Sequence, residues 1–192
     1  WFKYDTSTNR EGKNTVLLQQ NGNGRTFLQF TKDNKYATYV NASNVYSDKA
    51  VDLSQWQHVM ATYNKDTKKI AFYINGEKDS EKDAGSQVVN ELTSLLIRRH
   101  KNGGNAPLSM RGLVDEIRVY EKVLTADEAK AVYEEKAGAM LFPQLTEQIK
   151  AAEELDASGK LDENADAAKA LKTAIADAKK LSESSTLSEI SA

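Results

Sequence analysis

Apolar and polar residues alternate in short runs through the first part of the chain. TVLLQQ (Thr15 to Gln20), FLQF (Phe27 to Phe30), YATYV (Tyr36 to Val40) and WQHVMATYN (Trp56 to Asn64) each read as a strand. KKIAFYING (Lys68 to Gly76), SLLIRR (Ser94 to Arg99) and LVDEIRVY (Leu113 to Tyr120) continue the series. Turn chemistry separates them: NGNG at Asn21 to Gly24, KDNK at Lys32 to Lys35, KDT before Lys68, and Asn75-Gly76. Period 2 assigns the faces. Val59, Ala61 and Tyr63, with Ile70, Phe72 and Ile74, are predicted core positions, as are Ile117 and Val119. His58, Met60, Thr62, Ala71 and Tyr73 fall on the opposite, outward faces. Short strands in this rhythm predict an antiparallel sandwich.

The period then changes from strand-like to helical. Thr125 and Glu128 have capping-box spacing and predict a helix start after Leu124. Further on, Leu145, Ile149, Ala152 and Leu155 share one helical face, and Ser158-Gly159 predicts its end. Asp162 is the predicted cap of a second helix with an Ala168, Leu171, Ile175, Ala178 stripe. Thr186 and Glu189 predict the opening of a third. The composition shift at Ala137–Pro143 places a sandwich at 1–138 and a helical module at 144–192, joined near Phe142–Pro143.

Charge sharpens this division and excludes some partners. Residues 1–138 carry 20 basic and 18 acidic side chains, and residues 139–192 carry 6 and 10. The formal net charge of −2 gives no reason to expect nucleic acid. No apolar run approaches the roughly 20 residues of a membrane span, so no membrane insertion is expected. With no cysteine, thiolate catalysis, disulfides and Cys-ligated zinc are excluded. The opening at Trp1 implies sequence upstream.

Two stretches carry a family resemblance. DLSQWQHVMATYNKDTKKIAFYINGEK (Asp52 to Lys78) is similar to the centre of laminin-G-like domains of bacterial surface proteins. GLVDEIRVYEKVLTADEAKAVYE (Gly112 to Glu134) resembles the last strand and trailing helix of these concanavalin A-like jelly rolls. Trp1-Phe2-Lys3 resembles an internal strand, which implies that the first strand is missing here. The tail, about Gln144 to Ala192, resembles a truncated FIVAR module, a small three-helix unit of Gram-positive surface proteins and glycosidases. The resemblance implies a non-catalytic, lectin-like module of a larger secreted or cell-wall-attached glycan-active protein. A glycan and the neighbouring domains of the same polypeptide are its implied partners. The alternative is a structural spacer or protein-interaction module packed on a catalytic domain.

Candidate chemistry is sparse. The only histidines, His58 and His100, are far apart in sequence, and no serine sits in a nucleophile elbow. Asp115 and Glu116 are adjacent on one expected strand and so face opposite ways, which rules them out as a glycosidase pair. No catalytic residue and no required cofactor is expected. A sugar site needs an aromatic platform beside hydrogen-bonding groups. Tyr39, His58 and Tyr73 are the candidate face residues, with Arg98 or Arg99 at a strand end and His100 and Asn102 in the adjoining loop. An arginine there would suit an anionic sugar such as a sialic acid. Asp115 matches a position that the resemblance links to structural calcium, whereas its simpler role is to accept a backbone N–H.

Overall fold

The computed structural model describes residues 1–7, 14–20, 26–40, 43–84, 95–98, 109–160, 164–181 and 185, with the side chains of residues 20, 26, 39, 40 and 43 left undescribed. The described residues form ten strands and two helices. They are β1 (Phe2–Tyr4), β2 (Thr15–Gln20), β3 (Thr26–Phe30), β4 (Lys35–Val40), β5 (Ser43–Ala50), β6 (Val59–Asn64), β7 (Lys69–Ile74), β8 (Glu77–Asp83), β9 (Leu95–Ile97) and β10 (Gly112–Val114), then α1 (Ala126–Ala157) and α2 (Ala165–Ala178). Two compact units divide the chain at Ala131 and Val132, inside α1.

The first unit is an antiparallel sandwich. A five-stranded sheet runs β5-β4-β3-β2-β9, a three-stranded one β6-β7-β8, and β1 pairs with β10. Leu17, Leu28, Phe30 and Tyr36 from the larger sheet meet Ile70 and Phe72 from the smaller in one buried cluster. Val59, Ala61, Tyr63 and Ile74 pack against it, as period 2 predicts. Phe2 and Tyr4 on β1 add rings to this core. Phe2 stacks on Phe30 at 5.3 Å and meets Tyr36 edge-on, while Tyr4 meets Phe30 edge-on at 5.7 Å.

Three features depart from the pattern reading. First, β5 and β8 are strands that alternation does not predict. Both are edge strands: β8 is almost wholly charged, EKDSEKD, and β5 is mostly polar, SNVYSDKA. Charge on an edge prevents pairing with foreign strands, and it also hides the strand from hydrophobic periodicity. Second, LVDEIRVY is not one strand. β10 ends at Val114, and Glu116 adopts φ +49°, outside β geometry. Ile117 and Val119 are therefore not core: they are 37% and 64% exposed. Leu113, Tyr120 and Val123 are exposed too, so the chain from 113 to 123 is a ribbon that carries five exposed apolar side chains. Third, α1 runs unbroken through Pro143, where a linker was expected. The proline removes one helical N–H without ending the helix.

The capping box at the start of α1 forms as predicted. Glu128 N–H donates to Thr125 Oγ1 at 3.2 Å, and Thr125 N–H donates to Glu128 Oε2 at 2.9 Å. In the second unit α1 ends at Ala157, with Gly159 at φ +69° just beyond. The cap of α2 is Asn164, whose side chain accepts from Ala167 N–H at 3.1 Å; Asp162, the expected cap, lies outside the described residues, as do Thr186 and Glu189. Ala168, Leu171, Ile175 and Ala178 are the half-buried stripe of α2, flanked by Lys172–Asp156 and Lys179–Glu153 ion pairs to α1. Among the described residues no helix is long and apolar enough to cross a membrane.

Candidate functional site

The outer face of the five-stranded sheet is built by register. Val16 opposes Gln29, Gln29 opposes Ala37, and Ala37 opposes Tyr46, so this row shares one side of β2, β3, β4 and β5. Core residues flank it in sequence. Leu28 and Phe30 flank Gln29 and face inward, and Val45 packs on the core, so Tyr46 turns outward and stands 44% exposed. Asn44, two residues before Tyr46, shares its face. Gln29 Nε2 donates to Asn44 Oδ1 at 2.8 Å. Since Gln29 is itself buried, it holds the Asn44 carboxamide in one orientation from the side, on the same face.

This patch takes in few of the residues the sequence nominated. Tyr39 lies in the neighbouring row, between Thr26 and Asn44, and is described at the backbone only. Arg98 follows β9, at the opposite edge of the sheet from β5. It is exposed, sits at φ +58°, and donates its N–H to Leu17 O at 2.8 Å. Arg99, His100 and Asn102 lie outside the described residues.

His58 and Tyr73 correct the expectation of an open face on the smaller sheet. Tyr73 is 4% exposed and packs in a cluster with Ala71, Met60 and Ala129, because the first turns of α1 cover this side of β7. His58 is 6% exposed and lies against the Trp1 ring, centroids 5.3 Å apart. Its backbone N–H donates to Asn75 Oδ1 at 2.9 Å, and the Asn75 backbone N–H donates to His58 O at 2.9 Å. Burial lowers the His58 pKa to about 4, with smaller contributions from the Trp1 amino group and the Arg118 guanidinium. Neither ring is a platform for a ligand in this arrangement.

Asp115 bonds to the adjacent backbone. Its Oδ1 accepts the Glu116 N–H at 2.7 Å, and its backbone exchanges hydrogen bonds with Trp1, both at 3.0 Å. Glu116 pairs with Arg118 at 2.8 Å. Among the described residues no three His, Cys, Asp or Glu side chains converge, so they do not by themselves make the oxygen cage that calcium requires.

Tyr46, Asn44 and Gln29 were not nominated by pattern. The available signal was Val45: an apolar residue inside SNVYSDKA, which turns both of its neighbours outward once that segment is read as a strand.

Residues 1–130 match the family described as the concanavalin A-like lectin/glucanases superfamily, and the chain belongs to it. Botulinum neurotoxin type X of Clostridium botulinum is 27% identical over 138 residues, which cover 69% of this chain and 10% of the toxin. The chain thus spans a small part of that curated relative. Among solved structures, the fold is similar to the heptameric SAP-like pentraxin of Limulus polyphemus, with TM-score 0.53 and 20% identity, covering 69% of this chain and 66% of the pentraxin. It is also similar to the CBM40 of the Ruminococcus gnavus IT-sialidase, solved with α2,3-sialyllactose bound (TM-score 0.53, 18% identity, 69% of this chain and 78% of that one). At these identities the likeness speaks for the fold alone.

Proposed function

We propose that the chain is a non-catalytic carbohydrate-binding module of a larger secreted or cell-wall-attached bacterial protein. The observation that carries this reading is an exposed tyrosine beside an oriented carboxamide on the outer sheet face of a lectin-type sandwich. The Tyr46 ring stands 44% exposed, and the Asn44 carboxamide oxygen accepts from Gln29 Nε2. Such a module works by tethering: it raises the concentration of its parent protein near glycan. Open sites bury little surface, so affinity per module is weak. The helices of the second unit serve as a FIVAR-like spacer in the same reading. Retention of at least one glycan class on an array tests it, and an array without any retention by the folded protein overturns it.

The second reading is a spacer or protein-interaction module. The exposed ribbon of Leu113, Ile117, Val119, Tyr120 and Val123 favours it, because apolar surface grouped this way marks protein contacts. Binding to the neighbouring domain of the parent protein, lost on Val119→Asp and Ile117→Asp replacement, would establish it.

A further inference from the structure

We infer that the ligand of this module is a neutral pyranoside, held on β5 by Tyr46 and Asn44 rather than by an arginine at the end of β9. The inference rests on the carbohydrate-module reading above and gives that reading a place and a ligand class.

Three observations converge. The first is spacing. Asn44 and Tyr46 are two residues apart on one strand, so they stand on the same face about 7 Å from each other. That separation lets one sugar ring lie on the phenol while a hydroxyl on its rim reaches the carboxamide. The second is orientation. Gln29, 7% exposed, donates to Asn44 Oδ1 at 2.8 Å. One Oδ1 lone pair is engaged by a neighbour on the same face, and the two N–H donors of Asn44 Nδ2 are directed away from that bond. A carboxamide held this way loses less rotamer freedom on binding. The third is charge. Asp48, two residues further along β5, is paired with Lys82 at 2.5 Å. Asp79 is likewise engaged, by the backbone of Asp48 and Lys49. This edge therefore offers aromatic surface and amide donors, and the Asp48 and Lys82 charges beside it are paired with each other. Arg98 stands across the sheet, four strand spacings from β5, about 19 Å away. One monosaccharide does not span that distance, so an acidic sugar resting on Tyr46 would not reach the Arg98 guanidinium.

The test uses the whole chain on an array of neutral and sialylated glycans. It is followed by saturation-transfer NMR with methyl galactoside, methyl glucoside, methyl N-acetylglucosaminide and α2,3-sialyllactose. Tyr46 is exposed, so Tyr46→Ala is expected to fold, and a thermal melt checks it. Neutral glycosides should bind, and Tyr46→Ala should weaken them about ten-fold while Tyr46→Phe retains them. Asn44→Asp keeps an acceptor for Gln29 but removes the outward donors, and it should also weaken binding about ten-fold. Arg98→Ala should leave affinity unchanged. Neutral binding that survives both Tyr46→Ala and Asn44→Asp overturns the inference and leaves the module reading standing. Binding that depends on sialic acid and is lost with Arg98→Ala does the same. No binding to any glycan overturns both.

Discussion

Asp79 on β8 accepts the backbone N–H of Asp48 on β5 at 2.6 Å, and its other oxygen accepts that of Lys49 at 3.0 Å. The two strands are edges of different sheets, so this carboxylate ties the sandwich along one side. Ser80 Oγ donates to the same group at 2.7 Å. Charge-assisted hydrogen bonds to backbone amides are among the stronger polar interactions, and losing their acceptor leaves two edge amides without it. Asp79→Ala should therefore destabilise the domain by about 1.5–3 kcal/mol. Asp83→Ala is the control. It removes an exposed pair with Lys69 and should cost about 0–1 kcal/mol. Urea denaturation of the two variants makes the comparison.

Asp79 and His58 both link stability to pH. Burial alone would raise the Asp79 pKa, but the Ser80 hydroxyl and the Asp48 and Lys49 amides outweigh it and hold it below 3.8. Asp79 therefore stabilises the fold above its unfolded value, and that contribution is lost as pH falls through the lowered one. His58 acts at higher pH. Its folded pKa of about 4 lies below the ordinary 6.5, so the unfolded chain takes up this proton first. Stability should decline as pH falls from 6.5 to about 4, and His58→Gln should flatten that slope. Melting temperatures across the range test this directly. An imidazole that charges near pH 6.5 in histidine NMR spectra would contradict the burial argument.

How much was legible in the chain depends on what each residue faces. Ile70, Phe72 and Ile74 are read correctly because one side of β7 meets the core and period 2 records it. Thr125 and Glu128 are read correctly because capping is local chemistry. Edge strands β5 and β8 are missed because a strand paired along one edge can be polar, and Tyr46 is missed with β5. His58 and Tyr73 are placed on the right face, but alternation does not say that Trp1 and Ala129 cover it. Ile117 and Val119 fail differently. Their alternation is genuine, but after Val114 the chain leaves the ladder and turns at Glu116.

Gly112 is fixed by space. It opposes Tyr4 in the β1–β10 ladder at φ +130°, and a Cβ there would lie 2.1 Å from Lys3 O. A methyl group would force β1 away, with Phe2 and Tyr4 and their contacts to Phe30. Gly112→Ala should cost at least about 1–3 kcal/mol from backbone conformation alone, with the displaced contact adding to it. Differential scanning calorimetry of the variant gives the number. A melt matching wild type would mean that β1 does not approach β10 this closely.

Phe72 and Val119 separate true core from apparent core. Both occupy alternating apolar runs, but Phe72 is 1% exposed and Val119 is 64% exposed. Truncating a fully buried phenylalanine removes its transfer energy and leaves a cavity, so Phe72→Ala should destabilise by about 3–5 kcal/mol. Val119→Ala removes methyl groups that already meet solvent, and it should change stability by no more than about 0.5 kcal/mol. Chemical denaturation of each, with equal m-values confirming an unchanged unfolding reaction, reads out the contrast. If Val119→Ala proved as costly as a core truncation, the segment after Val114 would be packed in solution. The ribbon could not then be the exposed surface on which the interaction-module reading depends.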